Sequence, residues 1–160
     1  MRQLVIYCDG GFGNRFNALV SGLAIAKACD LSPQIVWPEN NWCGASMAQL
    51  FEQPLPSINR ELATFAPEKD RYQFFMVEDH LKLGVPWESP LHMADWATAR
   101  AYLGRSTKDV FYYTALIPGF LDFASVSEQV RALRFHPRIR ERVAAFLREI
   151  PDEEPLLFVG

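Results

Sequence analysis

A continuous apolar run, Leu4-Val5-Ile6-Tyr7, meets a glycine-rich turn and then a helical period. Runs of this kind suit strands buried on both faces of a parallel sheet. Phe16, Leu19, Val20 and Leu23 recur at the i, i+3, i+4, i+7 spacing of one buried helix face, and Ala26 continues it. Asn17 and Lys27 lie off that face. The helix is predicted to end near Cys29-Asp30, with Ser32-Pro33 as the break. Gln34-Ile35-Val36-Trp37 reads as a second strand, stopped by Pro38. Strand, helix and strand in so short a stretch make a βαβ unit, which requires a parallel pair and a right-handed crossover. The predicted fold class is α/β, a parallel sheet flanked by helices.

A chain of 160 residues can bury a core of its own. A net charge of -3 leaves no basic footprint for nucleic acid. Basic residues gather between Arg131 and Arg148, but Glu141 and Glu149 interleave with them, as on a solvated helix face. Cys8, Cys29 and Cys43 are odd in number and show no Cys/His ligand spacing, which argues against a disulfide framework or a zinc site. They read as free thiols. Met1-Arg2-Gln3 leads straight into the first strand without a signal-peptide apolar region, and no run is long enough for a transmembrane helix. No membrane span, no nucleic-acid partner and a reducing, cytoplasmic setting are the expectations.

Further along, Ser46 to Glu52 reads as a short helix ended by Pro54 and Pro56. Tyr72 to Val77 and Val110 to Tyr113 are β-rich, and Met93 to Leu103 is predicted helical. Ser125 and Glu128 have capping-box spacing ahead of another helix. Pro137 suits a first helical position, and Ile139, Val143, Phe146, Leu147 and Ile150 give that helix one apolar face. Pro151 closes it, and Leu156 to Val159 reads as one more buried strand, either the start of a second domain or an edge strand of the same sheet.

The candidate site is the turn Asp9-Gly10-Gly11-Phe12-Gly13-Asn14-Arg15. A glycine-rich entry to a helix exposes backbone N–H groups at a positive helix end, which suits a nucleotide or sugar phosphate. The turn departs from the dinucleotide fingerprint at Phe16 and lacks the acidic residue expected after the second strand; it is not a P-loop either. Glycines here can also serve tight geometry alone. Asn14 either caps the helix or offers its amide to a sugar hydroxyl or phosphate. Arg15 either forms an ion pair or brings a planar fork to phosphate. Asp9 either bonds the turn or accepts from a ligand hydroxyl. Asp79-His80 reads as a solvated turn rather than a dyad, and His80, His92 and His136 are too scattered for a metal site. Phe74-Phe75, Trp87, Trp96 and Tyr112-Tyr113 read as core or cleft wall.

Gly11-Phe12-Gly13-Asn14-Arg15 followed by Leu23-Ala24-Ile25-Ala26-Lys27 resembles the N-terminal segment of fucosyltransferases, the group of the protein O-fucosyltransferases and the nodulation-type α-1,6 enzymes. Trp37-Pro38, Trp42-Cys43-Gly44 and Leu50-Phe51-Glu52 resemble the next stretch of bacterial members. The likeness is clear up to Glu52, vague from Gln53 to Val126, and faint at the Pro137 helix and the Leu156 strand. It implies a GT-B architecture of two Rossmann-like domains facing a cleft. Residues 1–150 would be the N-terminal, acceptor-side domain and 151–160 the start of a missing donor-binding domain. It implies a GDP-sugar donor, a glycan or other hydroxyl acceptor, inversion at the anomeric carbon, no essential metal and no cofactor. By position, Asn14 takes the place of the family residue close to the donor, and is the catalytic candidate. Gly11, Phe12, Gly13, Asn14 and Arg15 are the substrate-binding candidates. The family's His-x-Arg-Arg-x-Asp motif is absent from these residues, so this length is expected to be inactive by itself. The rival reading, from another class, is a complete non-enzymatic α/β module binding a phosphorylated ligand or a protein partner.

Overall fold

The computed structural model describes residues 1–75 and 95–149. Its strands are β1 (Gln3–Tyr7), β2 (Ser32–Val36), β3 (Ser57–Ile58), β4 (Tyr72–Phe75) and β5 (Asp109–Tyr112). They form one five-stranded sheet in the order β3-β2-β1-β5-β4. Every pairing is parallel, with Tyr7 opposite Val36 and Ile6 opposite Tyr112. The helices are α1 (Phe12–Ala28), α2 (Met47–Leu50), α3 (Trp96–Leu103), α4 (Phe123–Ala132) and α5 (Pro137–Glu149), with a 3-10 segment over Leu62–Arg71. The expected α/β, Rossmann-like parallel sheet flanked by helices is present.

The first strand is covered on both faces, as its unbroken apolar run requires. Leu4, Ile6 and Cys8 point into one core with Leu19, Ile25, Ile35 and Val110. Val5 and Tyr7 point into the other with Val36, Phe65, Tyr72 and Phe111. The Phe65 and Tyr72 rings stand edge-on to the Phe111 ring, and Tyr7 stacks on it. Phe75 and Tyr112 are buried on the α1 side and stack on each other.

Helix α1 is buried around more of its circumference than a single apolar face predicts. Ala18, Leu19, Val20, Ser21, Gly22, Ala24, Ile25 and Ala26 are all buried, whereas Phe16 and Leu23 are only half-buried. Small residues let the helix settle against β1. A Cβ on Gly22 would lie 2.7 Å from the Ile6 side chain. The helix ends at Ala28 with Cys29 as its cap, and Asp30, at φ 52°, reverses the chain toward β2.

Several expected boundaries move. Ser32 and Pro33 belong to β2 instead of breaking the chain before it. Pro33 is tolerated because β3 pairs only with Ile35 and Val36, so among the described residues no strand pairs with Pro33 on that side to need its missing N–H. The cap of α4 is Asp122, which accepts from the Ser125 amide at 2.7 Å; Ser125 is a first-turn residue that bonds back to it. The capping box lies instead on α2, between Ser46 and Gln49. Strand β3 and the 3-10 segment had no clear periodicity. The apolar face of α5 is present, but none of its residues is buried; Val143, Phe146 and Leu147 are exposed. Asp79-His80, Trp87, His92, the start of the Met93 helix, the end of the Tyr72 strand, Ile150, Pro151 and the Leu156 strand lie outside the described residues.

Replacing Gly22 by alanine should lower stability by about 1–3 kcal/mol, the usual range for overpacking a filled core. Urea denaturation of Gly22→Ala beside wild type measures it; an unchanged midpoint would contradict this packing of α1 on β1.

Candidate functional site

The parallel strands all end on one edge, and the sheet changes direction between β1 and β5. Open α/β sheets hold ligands in the crevice outside such an edge. The glycine turn leaves β1 there and enters α1. Gly10 adopts φ 81°, a conformation that demands glycine. Gly11 and Gly13 are different. A Cβ built on either meets nothing within 4 Å. Packing does not require glycine at these two positions, and their backbone is bare to the crevice.

The mouth of α1 has no side-chain cap. Gly11 is the capping residue, and the first bond in the helix runs from Arg15 N to Gly11 O at 3.1 Å. The N–H groups of Phe12, Gly13 and Asn14 therefore have no acceptor among the described residues. They carry the positive end of the helix dipole outward. Asn14 sits in the first turn rather than at the cap; its side chain is exposed and bonds no described residue. The Phe12 ring lies against Phe16 and Phe135, at 5.7 and 5.9 Å between centroids, so this residue offers its backbone to the crevice while its ring is engaged in packing.

Arg15 points the other way. It is 0% exposed, and its guanidinium spans the ends of two strands. Nε donates to Gly10 O at 2.7 Å, Nη1 to Pro38 O, and Nη2 to Asn40 Oδ1 at 2.7 Å. Asp9 lies 3.7 Å from Nη2 and accepts a bond from Asn40 Nδ2 at 3.0 Å. The Trp37 ring lies 5.2 Å below the guanidinium carbon. The planar fork thus serves the protein's own carbonyls, and the charge is balanced by Asp9. Asp9 in turn bonds a neighbouring loop rather than the amides of its own turn. Asn40, which sequence reasoning missed, joins both groups. Its one signal was the polar run Glu39-Asn40-Asn41, with Trp37-Pro38 between it and the end of β2.

The other side of the crevice is the segment after β5. Asn17 Nδ2 donates to Ala115 O at 3.0 Å, and Ser21 Oγ shares a 2.7 Å bond with the Tyr112 hydroxyl. The two bonds hold α1 to β5 and to the segment after it, across the switch in strand order. Beneath the turn, Cys8 is fully buried; desolvation pushes its thiol far above the ordinary range, only partly offset by Arg15, so it stays protonated and unreactive. No metal-binding group of His, Cys, Asp or Glu occurs among the described residues, and no described helix is long and apolar enough to cross a membrane.

This geometry can hold an anionic or hydroxyl-bearing ligand through backbone N–H groups and the Asn14 amide. No family model matches the chain, and no curated protein matches its sequence significantly. Solved structures match its fold. A NodZ α-1,6-fucosyltransferase co-crystallised with GDP superposes with a TM-score of 0.54 at 16% identity over 92% of this chain. The same enzyme soaked with GDP-fucose gives 0.52 at 16% identity, and fucosyltransferase NodZ from Bradyrhizobium gives 0.50 at 14%, each over 92% of this chain. The chain spans 55% of the length of those proteins. It therefore has the α/β fold of one part of these fucosyltransferases.

Arg15→Lys keeps a charge but leaves Gly10 O, Pro38 O and Asn40 Oδ1 competing for one ammonium. A loss of about 2–3 kcal/mol is expected in urea denaturation. A substitution without effect would mean that the guanidinium does not hold these loops.

Proposed function

We propose that this chain is the N-terminal, acceptor-side part of a glycosyltransferase that moves fucose or a related sugar from a GDP-sugar to a hydroxyl acceptor. The observation that carries the reading is the uncapped, sterically open turn at Gly11 and Gly13, on the strand edge where this fold holds ligands. The shared fold with an enzyme crystallised with GDP and soaked with GDP-fucose supports it.

In this reading the N–H groups of Phe12, Gly13 and Asn14 at the Gly11 turn bind donor oxygens, and the Asn14 side-chain amide orients the transferring sugar as the catalytic candidate. Arg15 contributes by holding the turn in shape against Asp9, Asn40 and Pro38. The acceptor hydroxyl attacks the anomeric carbon from the face opposite the nucleotide, the bond to the diphosphate breaks, and configuration inverts. Charge grows on the departing GDP, and fixed positive groups must meet it. Arg15 is engaged elsewhere, so that role falls to a donor-binding domain in a two-domain GT-B enzyme. Residues 1–150 form the acceptor-side domain, and 151–160 begin the other. The reaction needs no metal or cofactor. A cytoplasmic setting is supported by three cysteines that are all free.

Calorimetry on the protein as encoded, with any sequence beyond Gly160, tests the donor. GDP and GDP-fucose should bind. Asn14→Ala should weaken GDP-fucose by about tenfold, the worth of one good hydrogen bond near 1.4 kcal/mol. Gly13→Ala should do so too while leaving stability unchanged or slightly raised, because alanine favours the helix. Absence of GDP binding would overturn the assignment. Transfer that survives EDTA and yields a product of opposite anomeric configuration would support the mechanism; retained configuration would refute it.

A further inference from the structure

A concavity of 490 Å³ runs beside α4. One wall is that helix, through Phe123, Ser127, Val130 and Arg131, and the other is the segment after β5, through Ile117 and Leu121. The fold itself holds both walls. The Leu121 amide donates to Pro118 O at 3.0 Å and closes a turn. Phe120, inside that turn, stacks on Trp96 and lies against Phe75, at 5.6 and 6.2 Å between centroids. Asn17 holds Ala115 from α1. On the helix side, Asp122 caps α4, and Glu128 pairs with Lys27 of α1 at 2.6 Å. Both of these carboxylates are thus engaged away from the hollow.

The fold makes little use of what lines this space. Phe123 is 87% exposed, Ile117 41% and Val130 40%. Apolar side chains gathered around one hollow mark a binding site, whereas single ones scattered over a surface do not. Polar side-chain atoms line it only at Ser127 and Arg131, and neither bonds a described residue. Phe123, Ser127 and Arg131 follow one another at four-residue spacing, along one side of α4. The hollow is therefore apolar at one end and cationic at the other. From Phe123 to Arg131 the helix rises about 12 Å, the reach of an extended chain of roughly eight carbons. A peptide or a sugar would bring amides or hydroxyls against walls that offer them no partners. A diphosphate would meet one cation with several charges. A straight alkyl chain ending in one carboxylate leaves nothing unmatched, because the Arg131 fork and the Ser127 hydroxyl meet its head and the apolar walls cover its tail.

We propose that the hollow between α4 and the segment after β5 binds a medium-chain alkyl carboxylate from solution, with Arg131 and Ser127 holding the head and Phe123 covering the tail. The site stands whether or not the chain transfers sugar.

Calorimetry on the protein as encoded tests this, with octanoate, butanoate, 1-octanol and octylammonium as probes. Octanoate should bind saturably, and about tenfold or more tightly than either butanoate or octylammonium. Arg131→Gln should weaken octanoate by about tenfold and leave 1-octanol unchanged. Phe123→Ser should weaken octanoate and 1-octanol alike, by about fivefold. Both side chains are exposed, so urea midpoints close to that of wild type are expected for the two variants. Failure of octanoate to bind, or binding that neither substitution weakens, overturns the site. Sedimentation of the protein with phosphatidylglycerol vesicles while octanoate stays unbound also overturns it, and makes the patch a lipid contact. A dimer that Phe123→Ser dissociates, again with octanoate unbound, gives the hollow to a second copy of the chain and refutes the carboxylate equally.

Discussion

The buried guanidinium of Arg15 is the constraint on which the ligand edge depends. Strand ends in a parallel sheet diverge into separate loops, and nothing in the ladder holds those loops to one another. Arg15 does so by bonding the loop after β1 through Gly10 and the loop after β2 through Pro38 and Asn40. A cation taken wholly out of water is tolerable only with its donors matched and its charge balanced. Three oxygens, the Asp9 carboxylate and the Trp37 ring meet that need. The geometry of the open turn on one side and of the Glu39–Ser46 loop on the other both follow from this single group.

Much of the architecture was legible because its signals are local. The Leu4–Tyr7 run, the glycine turn and the α1 period are contiguous in the chain, and each reports one element. Pro137 as a first helical residue rests on the same kind of rule. Strand β3 was not legible: two residues pairing only with the end of β2 leave no period to detect. Pro33 misled because proline looks like a break unless it is known that no described strand pairs on the side its N–H would face. Asp122 was passed over as the cap of α4 for a motif that fits the spacing three residues later.

At the site, residue type was readable and direction was not. An arginine in an anion-binding turn suggests a phosphate contact, yet burial turns it toward carbonyls far away in sequence, at Pro38 and Asn40. Only the fold brings those oxygens within reach. Conversely, the glycines looked alike in sequence, and the structure separates them. Gly10 answers a backbone requirement, Gly22 a close approach to Ile6, and Gly11 and Gly13 neither. At 16% identity, what the chain has in common with the NodZ structures is the fold.

Helix α5 carries a consequence for how the molecule comes apart. It meets the rest through its beginning, where His136 N bonds Leu50 O and Arg140 reaches Glu52. With no buried side chain along its length, little apolar area couples its hydrogen bonds to those of the sheet. Among the described residues, it can therefore fray and re-form as an independent unit, exchanging its amide protons with solvent while β1 and α1 stay closed.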